Sequence, residues 1–249
     1  MCTLVVAWQV FDGAPVGVAA NRDELYDRPA SPPTRRDGDP AVVAPRDERA
    51  GGTWLGYNAA GVVVAVTNRW ASGGGDRSRG LLVADALGER SAAAAADLVE
   101  AELDDRRYGP CHLVAADADT CTLVRNGGTD DGIDGYRVTA LSPGVHVVVN
   151  VGVDGEWFVP SSRPDAGRDQ ADNADRVRET LQPEPAETAA GWLDRASGVL
   201  SDHEYGVCLH GDSYGTRSSS LLAIGTDRPF RFADGPPCET AYEAVEDRI

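Results

Sequence analysis

The first two dozen residues place the tightest restriction on how this chain can fold. Two apolar runs, residues 4–10 and 15–20, flank an Asp-Gly pair at positions 12 and 13, and this arrangement predicts a β-hairpin. The hairpin would bring Cys2, at the start of its first strand, close to the polar residues 21–24 that follow its second strand. The rest of the chain must therefore be built around a hairpin with reactive side chains at its open end.

Cys2 is the first candidate for chemistry. Once the initiator methionine is removed, Cys2 becomes the N-terminal residue and carries both a thiol nucleophile and an α-amino base. The free amine titrates at about 7.7 to 8 and the thiol at about 8.5. The thiolate is the reactive form, and an N-terminal amine can take the place of a histidine as the activating base. The alternative is that Cys2 is a small hydrophobic residue that begins a buried strand.

Strand-like and helix-like segments follow one another in blocks: strands, two helices, strands, two helices, strands. The predicted helices cover residues 78–88, 91–103, 173–181 and 186–200. Other segments predict loops at residues 29–40 and 160–172 and a strand at 205–209. Blocks of this kind favour antiparallel sheets covered by helices over repeated βαβ units. We therefore expect an α+β fold, with one domain over residues 1–249.

The charge balance limits the range of partners. The chain has 40 acidic and 23 basic residues, a formal net charge of −17 and no lysine, and such a surface repels nucleic acid. An acidic protein of this kind is expected in a halophilic cytoplasm, because a Debye length of about 3 Å at 1 M salt screens the repulsion. A high-GC codon bias from lysine to arginine would explain the missing lysine and would explain the acidity less well, and both causes can operate together.

The hydropathy pattern predicts a cytoplasmic protein without stable membrane insertion. No apolar run approaches the roughly 18 to 20 residues needed to span a bilayer, and the N-terminal apolar run lacks a preceding basic region. Self-association into a homo-oligomer is left open.

The cysteines argue against a disulfide framework or a structural zinc cluster, because their number is odd and none forms a CxxC pair. They are Cys2, Cys111, Cys121, Cys208 and Cys238. Cys208 and His210 alternate along one segment, but no second cluster in the sequence completes a set of four ligands. We therefore expect no metal site, and His203 is interpreted as a solvated or core histidine.

Several short motifs recur in a recognisable order along the chain. They are Met1-Cys2, Asn21-Arg22-Asp23-Glu24, Gly51-Gly52-Thr53-Trp54-Leu55-Gly56, Thr67-Asn68, Ser78-Arg79-Gly80 and Tyr214-Gly215-Thr216-Arg217-Ser218. Together they resemble the NRDE family, also called the transport and Golgi organisation protein 2 family. The resemblance implies a four-layer αββα sandwich of the N-terminal nucleophile (Ntn) hydrolase type, similar to choloylglycine hydrolases and penicillin V acylases.

The resemblance also implies a set of site residues, because those acylases cleave non-peptide amides with a Cys, an Arg, an Asp, two Asn and a late Arg. The corresponding catalytic residues here would be Cys2, Arg22, Asp23, Asn68, Asn150 and Arg217. Substrate contacts are expected at Asn21, Glu24, Trp54, Arg79 and Thr216. The acylases carry Arg-Asn-x-Asp after the second strand where this chain has Asn-Arg-Asp-Glu, so the roles of residues 21–24 do not transfer one for one.

The residue types fit amide hydrolysis without reference to the family. Asn68 and Asn150 each end an apolar strand, where a side-chain amide could donate to an oxyanion. Asp23 could orient a terminal amine, and a nearby Arg22 or Arg217 would favour the thiolate. Each of these polar residues could instead end a strand or fill a turn.

Two functions stay open at this point. The first is a cysteine hydrolase that attacks a small linear amide and needs no cofactor. The second is a non-catalytic carrier or trafficking protein for a hydrophobic ligand such as haem or lipid, because the resemblance connects this family with both. The sequence has no CxxCH motif, so covalent haem attachment is not expected.

Overall fold

The computed structural model describes residues 2–129, 131–246 and 249. The chain forms two compact units, the first containing residues 2–28, 143–157 and 165–246, the second residues 29–142 and 158–164. Each unit contains one antiparallel sheet and two α-helices. The single domain over residues 1–249 stays a prediction.

The first unit is organised around the N-terminal hairpin, as the sequence predicts. Strand β1 (Thr3–Phe11) pairs with β2 (Ala14–Leu25) on one side and with β10 (Gly144–Val149) on the other. Beyond β2 lies β13 (Tyr214–Ile224). The short outer strands of the same eight-stranded sheet are β11 (Gly152–Val153), β12 (Glu156–Trp157), β14 (Phe230–Ala233) and β15 (Glu243–Ala244).

Strand β2 continues five residues beyond the predicted end of its apolar run. Asn21 pairs with Ser219 and Asp23 pairs with Thr216, so β13 supplies hydrogen-bonding partners for a polar stretch. The register shifts between Thr216 and Ser218, which makes Arg217 the extra residue of a β-bulge. Such bulges redirect side chains and are frequent beside active sites.

Two helices complete the first unit, α3 (Pro164–Thr180) and α4 (Ala189–Ser201). Helix α4 begins after Thr188, whose hydroxyl accepts a hydrogen bond from Gly191 N. It packs Trp192 over Gly17 of β2, where an added Cβ would lie 3.4 Å from the indole ring. The fully buried Trp192 donates its Nε1–H to Leu181 O at 2.9 Å, so the indole has a polar partner inside the core.

The second unit contains a seven-stranded sheet in which neighbours in sequence are neighbours in space. Its strands are β3 (Ala30–Arg36), β4 (Val42–Asp47), β5 (Leu55–Asn58), β6 (Val63–Asn68), β7 (Cys111–Ala116), β8 (Cys121–Asn126) and β9 (Tyr136–Ala140). Helices α1 (Arg79–Ala86) and α2 (Ala92–Asp105) begin after serine caps and pack their apolar faces on this sheet.

Three segments differ from the sequence predictions. Within the predicted loop 29–40, residues Ala30–Arg36 form strand β3, because this is an edge strand whose two prolines fall at a register shift, where proline is tolerated. Residues 160–172 enter α3 at Pro164, and proline suits the first turn of a helix. Residues 205–209 are not a strand: a 3₁₀ turn, His203–Tyr205, precedes Gly206 with φ 64°.

The described part of the chain contains no helix that is both long and apolar enough to cross a membrane.

Candidate active site

Cys2 lies immediately before β1, between the ends of the two neighbouring strands. Thr3 pairs with Asn21 of β2 and with Val149 of β10, so the next positions along those strands are Arg22 and Asn150. The backbone N–H of Cys2 donates to Asn150 Oδ1 at 3.0 Å. Its Sγ lies 3.6 Å from the main-chain oxygen of Asp23. Burial raises the pKa of the Cys2 thiol, and the charge of Arg22 acts in the opposite direction.

Asp23 is held in a buried position beside the cysteine, with 3% of its surface exposed. Thr216 Oγ1 donates to Asp23 Oδ1 at 2.6 Å, and Tyr214 Oη donates to the Asp23 main-chain oxygen at 3.1 Å. The Thr216 hydroxyl also accepts from Leu209 N at 2.9 Å, which leaves its own proton for the carboxylate. Burial raises the pKa of Asp23, while the bond from Thr216 lowers it.

Asn150 accepts two hydrogen bonds on one atom. Its Oδ1 receives the Cys2 N–H and also Gln170 Nε2 at 3.0 Å. Two donors on the same oxygen fix the orientation of this amide. The contact with Cys2 therefore supports a role for Asn150 in positioning the nitrogen of residue 2. The sequence had suggested a different role, in which the Asn150 amide donates to an oxyanion.

Gln170 was not predicted from the sequence. It is 1% exposed on an otherwise very polar helix, α3. Its spacing in the sequence could have indicated this burial. Gln170 lies on the same helix face as Ala171, Ala174 and Val177, which are also buried.

The other polar residues at the end of β2 make different contacts. Arg22 is 7% exposed, and its Nη2 lies 3.8 Å from Glu24 Oε2. Glu24 also lies 3.7 Å from Arg28 Nε. Asn21 is 2% exposed and donates through Nδ2 to Leu200 O and Val207 O, at 2.9 and 2.8 Å. These bonds favour a structural role for Asn21 over the predicted substrate contact.

Arg217 lies at the same end of the β2–β13 pair, opposite the step between Arg22 and Asp23. Its side chain is partly buried. Among the residues that the structure describes, Arg217 Nε is buried without a hydrogen-bond acceptor. The bulge thus adds a second arginine to the strand ends that surround Cys2.

The remaining predicted site residues belong to the second unit. Asn68 is the exposed last residue of β6, and Trp54 immediately precedes β5. Arg79 begins α1 and donates through Nη1 to Pro110 O at 2.9 Å. Thr53 N donates to Gly80 O at 2.9 Å, so two of the motif segments meet within this unit.

Comparison with known proteins identifies the family of this chain. A profile of the family described as Transport and Golgi organisation 2 matches residues 1–235. The chain belongs to the Transport and Golgi organisation 2 family. Curated relatives include the Transport and Golgi organization protein 2 homologs of Bos taurus and Homo sapiens. Each is 26% identical, over 258 and 264 residues respectively, and each match covers 90% of both chains.

Solved structures similar to this family member include enzymes named as an amidase, an acylase and a hydrolase. A Caenorhabditis elegans ortholog of N-acylethanolamine-hydrolyzing acid amidase has a TM-score of 0.58 at 15% identity, covering 90% of this chain and 94% of that one. Penicillin V acylase from Agrobacterium tumefaciens has a TM-score of 0.52 at 15% identity, with coverages of 94% and 83%.

A mutant conjugated bile acid hydrolase from Clostridium perfringens has a TM-score of 0.57 at 10% identity, with coverages of 100% and 94%. These likenesses confirm the predicted fold class, an α+β fold of the Ntn hydrolase type.

Proposed function

We propose that this member of the Transport and Golgi organisation 2 family is a cysteine Ntn hydrolase that cleaves the C–N bond of a small non-peptide amide in the cytoplasm. The observation that carries the proposal is the 3.0 Å contact between Cys2 N and Asn150 Oδ1. It holds the nitrogen of residue 2 next to its own thiol, beside a buried Asp23 and Arg22. A strand that merely begins with cysteine would not require this set of polar groups.

The reaction uses only groups of this chain and water. After Met1 is removed, the α-amine takes the Sγ proton and the thiolate attacks the amide carbonyl carbon. The tetrahedral intermediate collapses, the C–N bond breaks and the leaving amine takes the proton from the α-ammonium. Water, deprotonated by the amine, then attacks the thioester, releases the carboxylic acid and restores the thiol. Met1 itself lies outside the described residues.

The first-unit residues have separate roles in this scheme. Asn150 holds the α-amine, and the positive charge of Arg22 stabilises the thiolate. Asp23, fixed by Thr216, provides the negative charge that favours the ammonium formed when sulfur loses its proton. Asn68 stays a prediction as a donor to the oxyanion, and Arg217 stays a prediction as a second cation that favours the thiolate.

The surface beside Asp23 supports a proposal for the substrate class. Leu25 pairs with Tyr214 in the β2–β13 register, and Tyr26 follows Leu25. Leu25 is 41% exposed, and Tyr26 and Tyr214 are each 38% exposed. Tyr214 also donates a hydrogen bond to the main-chain oxygen of Asp23. Exposed apolar residues next to a polar reaction centre suit a linear amide with an apolar acyl group.

The test combines mass spectrometry with a substrate screen. The intact mass of the purified protein should show that Met1 is absent, and a panel of N-acyl amides in high salt should reveal turnover. Cys2→Ala should abolish that turnover, whereas Cys121→Ala, at a buried cysteine of the second unit, should preserve it. Retention of Met1, or full turnover by Cys2→Ala, would contradict the mechanism.

A second candidate is a carrier for a hydrophobic ligand, and the exposed Leu25, Tyr26 and Tyr214 favour it. A carrier would bind haem or a fatty-acyl ligand saturably, and Cys2→Ala would bind equally well. Spectroscopic titration of both proteins separates the two functions. Absence of any saturable shift, together with amide turnover, would exclude the carrier.

A further inference from the structure

A second cluster of reactive side chains lies in the first unit, and its four members differ from the residues described above as contacting Cys2. His203, Cys208, His210 and Cys238 bring one ligand atom each to within 4.8 Å of one another. His203 belongs to the 3₁₀ turn after α4, Cys208 and His210 precede β13, and Cys238 follows β14. The sequence offered no second cluster for Cys208 and His210, because the missing ligands come from other segments of the chain.

We propose that these four residues form a structural zinc site. Zn²⁺ in such sites is tetrahedral, with Zn–S near 2.3 Å and Zn–N near 2.0 to 2.1 Å. Those bond lengths place two sulfurs about 3.8 Å apart and a sulfur and a nitrogen about 3.5 Å apart.

Three separations within the cluster lie within about 0.5 Å of these values. Cys208 Sγ lies 3.5 Å from Cys238 Sγ and 3.9 Å from His210 Nε2, and His210 Nε2 lies 3.0 Å from Cys238 Sγ. Shifts of about half an ångström would bring these three atoms to the tetrahedral values, and the His203 nitrogen, which lies within 4.8 Å of them, would have to move closer to complete the set.

The donor set selects zinc among common metals. Two thiolates and two imidazoles are softer than the oxygen ligands that Mg²⁺ and Ca²⁺ prefer, and thiolates balance the charge of a divalent ion. Four protein ligands fill a tetrahedral shell, so the site is of the closed, structural kind and not one that activates water. Cys208 is buried while His203 and His210 are exposed, so the ion can enter from the surface.

An outer carboxylate is available to orient one ligand. His210 presents Nε2 to Cys238, and its Nδ1 lies 4.0 Å from Glu239 Oε1. Metal-bound histidines commonly donate their second ring N–H to such a carboxylate. A disulfide between Cys208 and Cys238 would account for the two sulfurs but not for the two histidines or for Glu239.

The site would fix the segment that leads to Asp23. Leu209, between two ligands, donates to Thr216 Oγ1 and accepts from Thr216 N, both at 2.9 Å. Thr216 in turn holds Asp23. Zinc binding would release the protons of both thiols. Residues 203–216 would then be better ordered with the metal bound than without it.

The test is titration of the reduced, metal-free full-length protein with Zn²⁺ alone. One equivalent should bind and raise the unfolding temperature, and Co²⁺ in its place should give the visible bands of tetrahedral coordination with thiolate charge transfer. Cys238→Ser and His203→Ala should lower zinc affinity at least 10-fold. His203 is exposed, so its variant should fold. Cys121→Ala serves as the matched control and should bind like the parent protein.

Three results would overturn the proposal. One is a folded, reduced parent protein that binds no Zn²⁺. Another is binding that is unchanged in both ligand variants. The third is a Cys208–Cys238 disulfide that forms in the presence of zinc. None of these measurements depends on amide turnover, so the zinc site and the hydrolase can fail separately.

Discussion

The buried carboxylate of Asp23 makes the folded protein less stable when it is ionised. Burial raises its pKa above the ordinary value near 3.9, so the folded state holds this proton more tightly than the unfolded chain does. The stability contribution is therefore most favourable below about pH 3.9 and declines as pH rises through the folded-state pKa. A residue kept in such a position points to a function other than stabilising the fold.

Asp23→Asn should raise the free energy of unfolding at pH 7 by about 1 kcal/mol and abolish amide turnover. The variant keeps an oxygen for Thr216 but removes the buried charge. Most of its advantage over the parent protein should be lost as the pH falls to about 4, because the parent carboxyl then approaches protonation in the unfolded chain as well as in the folded state. Urea denaturation from pH 4 to 8 at constant salt measures this difference. A variant that is less stable at pH 7 would contradict the argument.

At the scale of secondary-structure elements, the contact between the loop before β5 and helix α1 leaves no room for a side chain at Gly52. A Cβ added to Gly52 would lie 2.1 Å from the carbonyl carbon of Gly80, which is backbone and cannot swing away. Gly52→Ala should therefore destabilise the protein by about 2 kcal/mol, the usual range for overpacking. Gly74→Ala is the matched control because nothing lies within 4 Å of its added Cβ. Thermal unfolding of both variants tests the contact, and equal melting temperatures would refute it.

The elements that local pattern determines were predictable, and those that depend on distant strands were not. The Asp-Gly hairpin and the serine-capped helices follow from nearby residues. Strand β2 reaches Leu25 because β13, nearly two hundred residues later, pairs with it. Helix α3 was predicted to start too late because its buried face is built from Gln170 and small residues, not from large apolar ones.

The same distinction applies to the candidate site. The hairpin places Cys2 beside Arg22 and Asp23 from sequence alone. The hydrogen bond from Gln170 to Asn150 forms only when helix α3 has packed against the sheet. The contact between Cys208 and Cys238 joins two segments that are 30 positions apart in the sequence. A spacing rule detects neither, because the relevant distances exist only after folding.

For the whole molecule, the net charge of −17 should make stability depend on salt. Repulsion among acidic groups opposes the compact state, and salt shortens its range from about 10 Å at 0.1 M to about 3 Å at 1 M. Raising KCl from 0.1 to 3 M should add about 3 kcal/mol, or about 6 to 12 °C in melting temperature. Sucrose at matched osmolality provides the uncharged control. A melting temperature independent of KCl would contradict the halophilic interpretation.

The bulge makes Arg217 an inserted residue relative to a regular β-ladder. In the β2–β13 ladder, Thr216 pairs with Asp23 and Ser218 pairs with Arg22. Arg217, which lies between Thr216 and Ser218, has no paired residue on β2. Loss of a single codon would join Thr216 to Ser218 and restore a continuous ladder, with the threonine still opposite Asp23. A lineage could therefore gain or discard this cation in one step without rebuilding the sheet. The presence or absence of that codon offers a marker for sorting relatives that share the rest of the site.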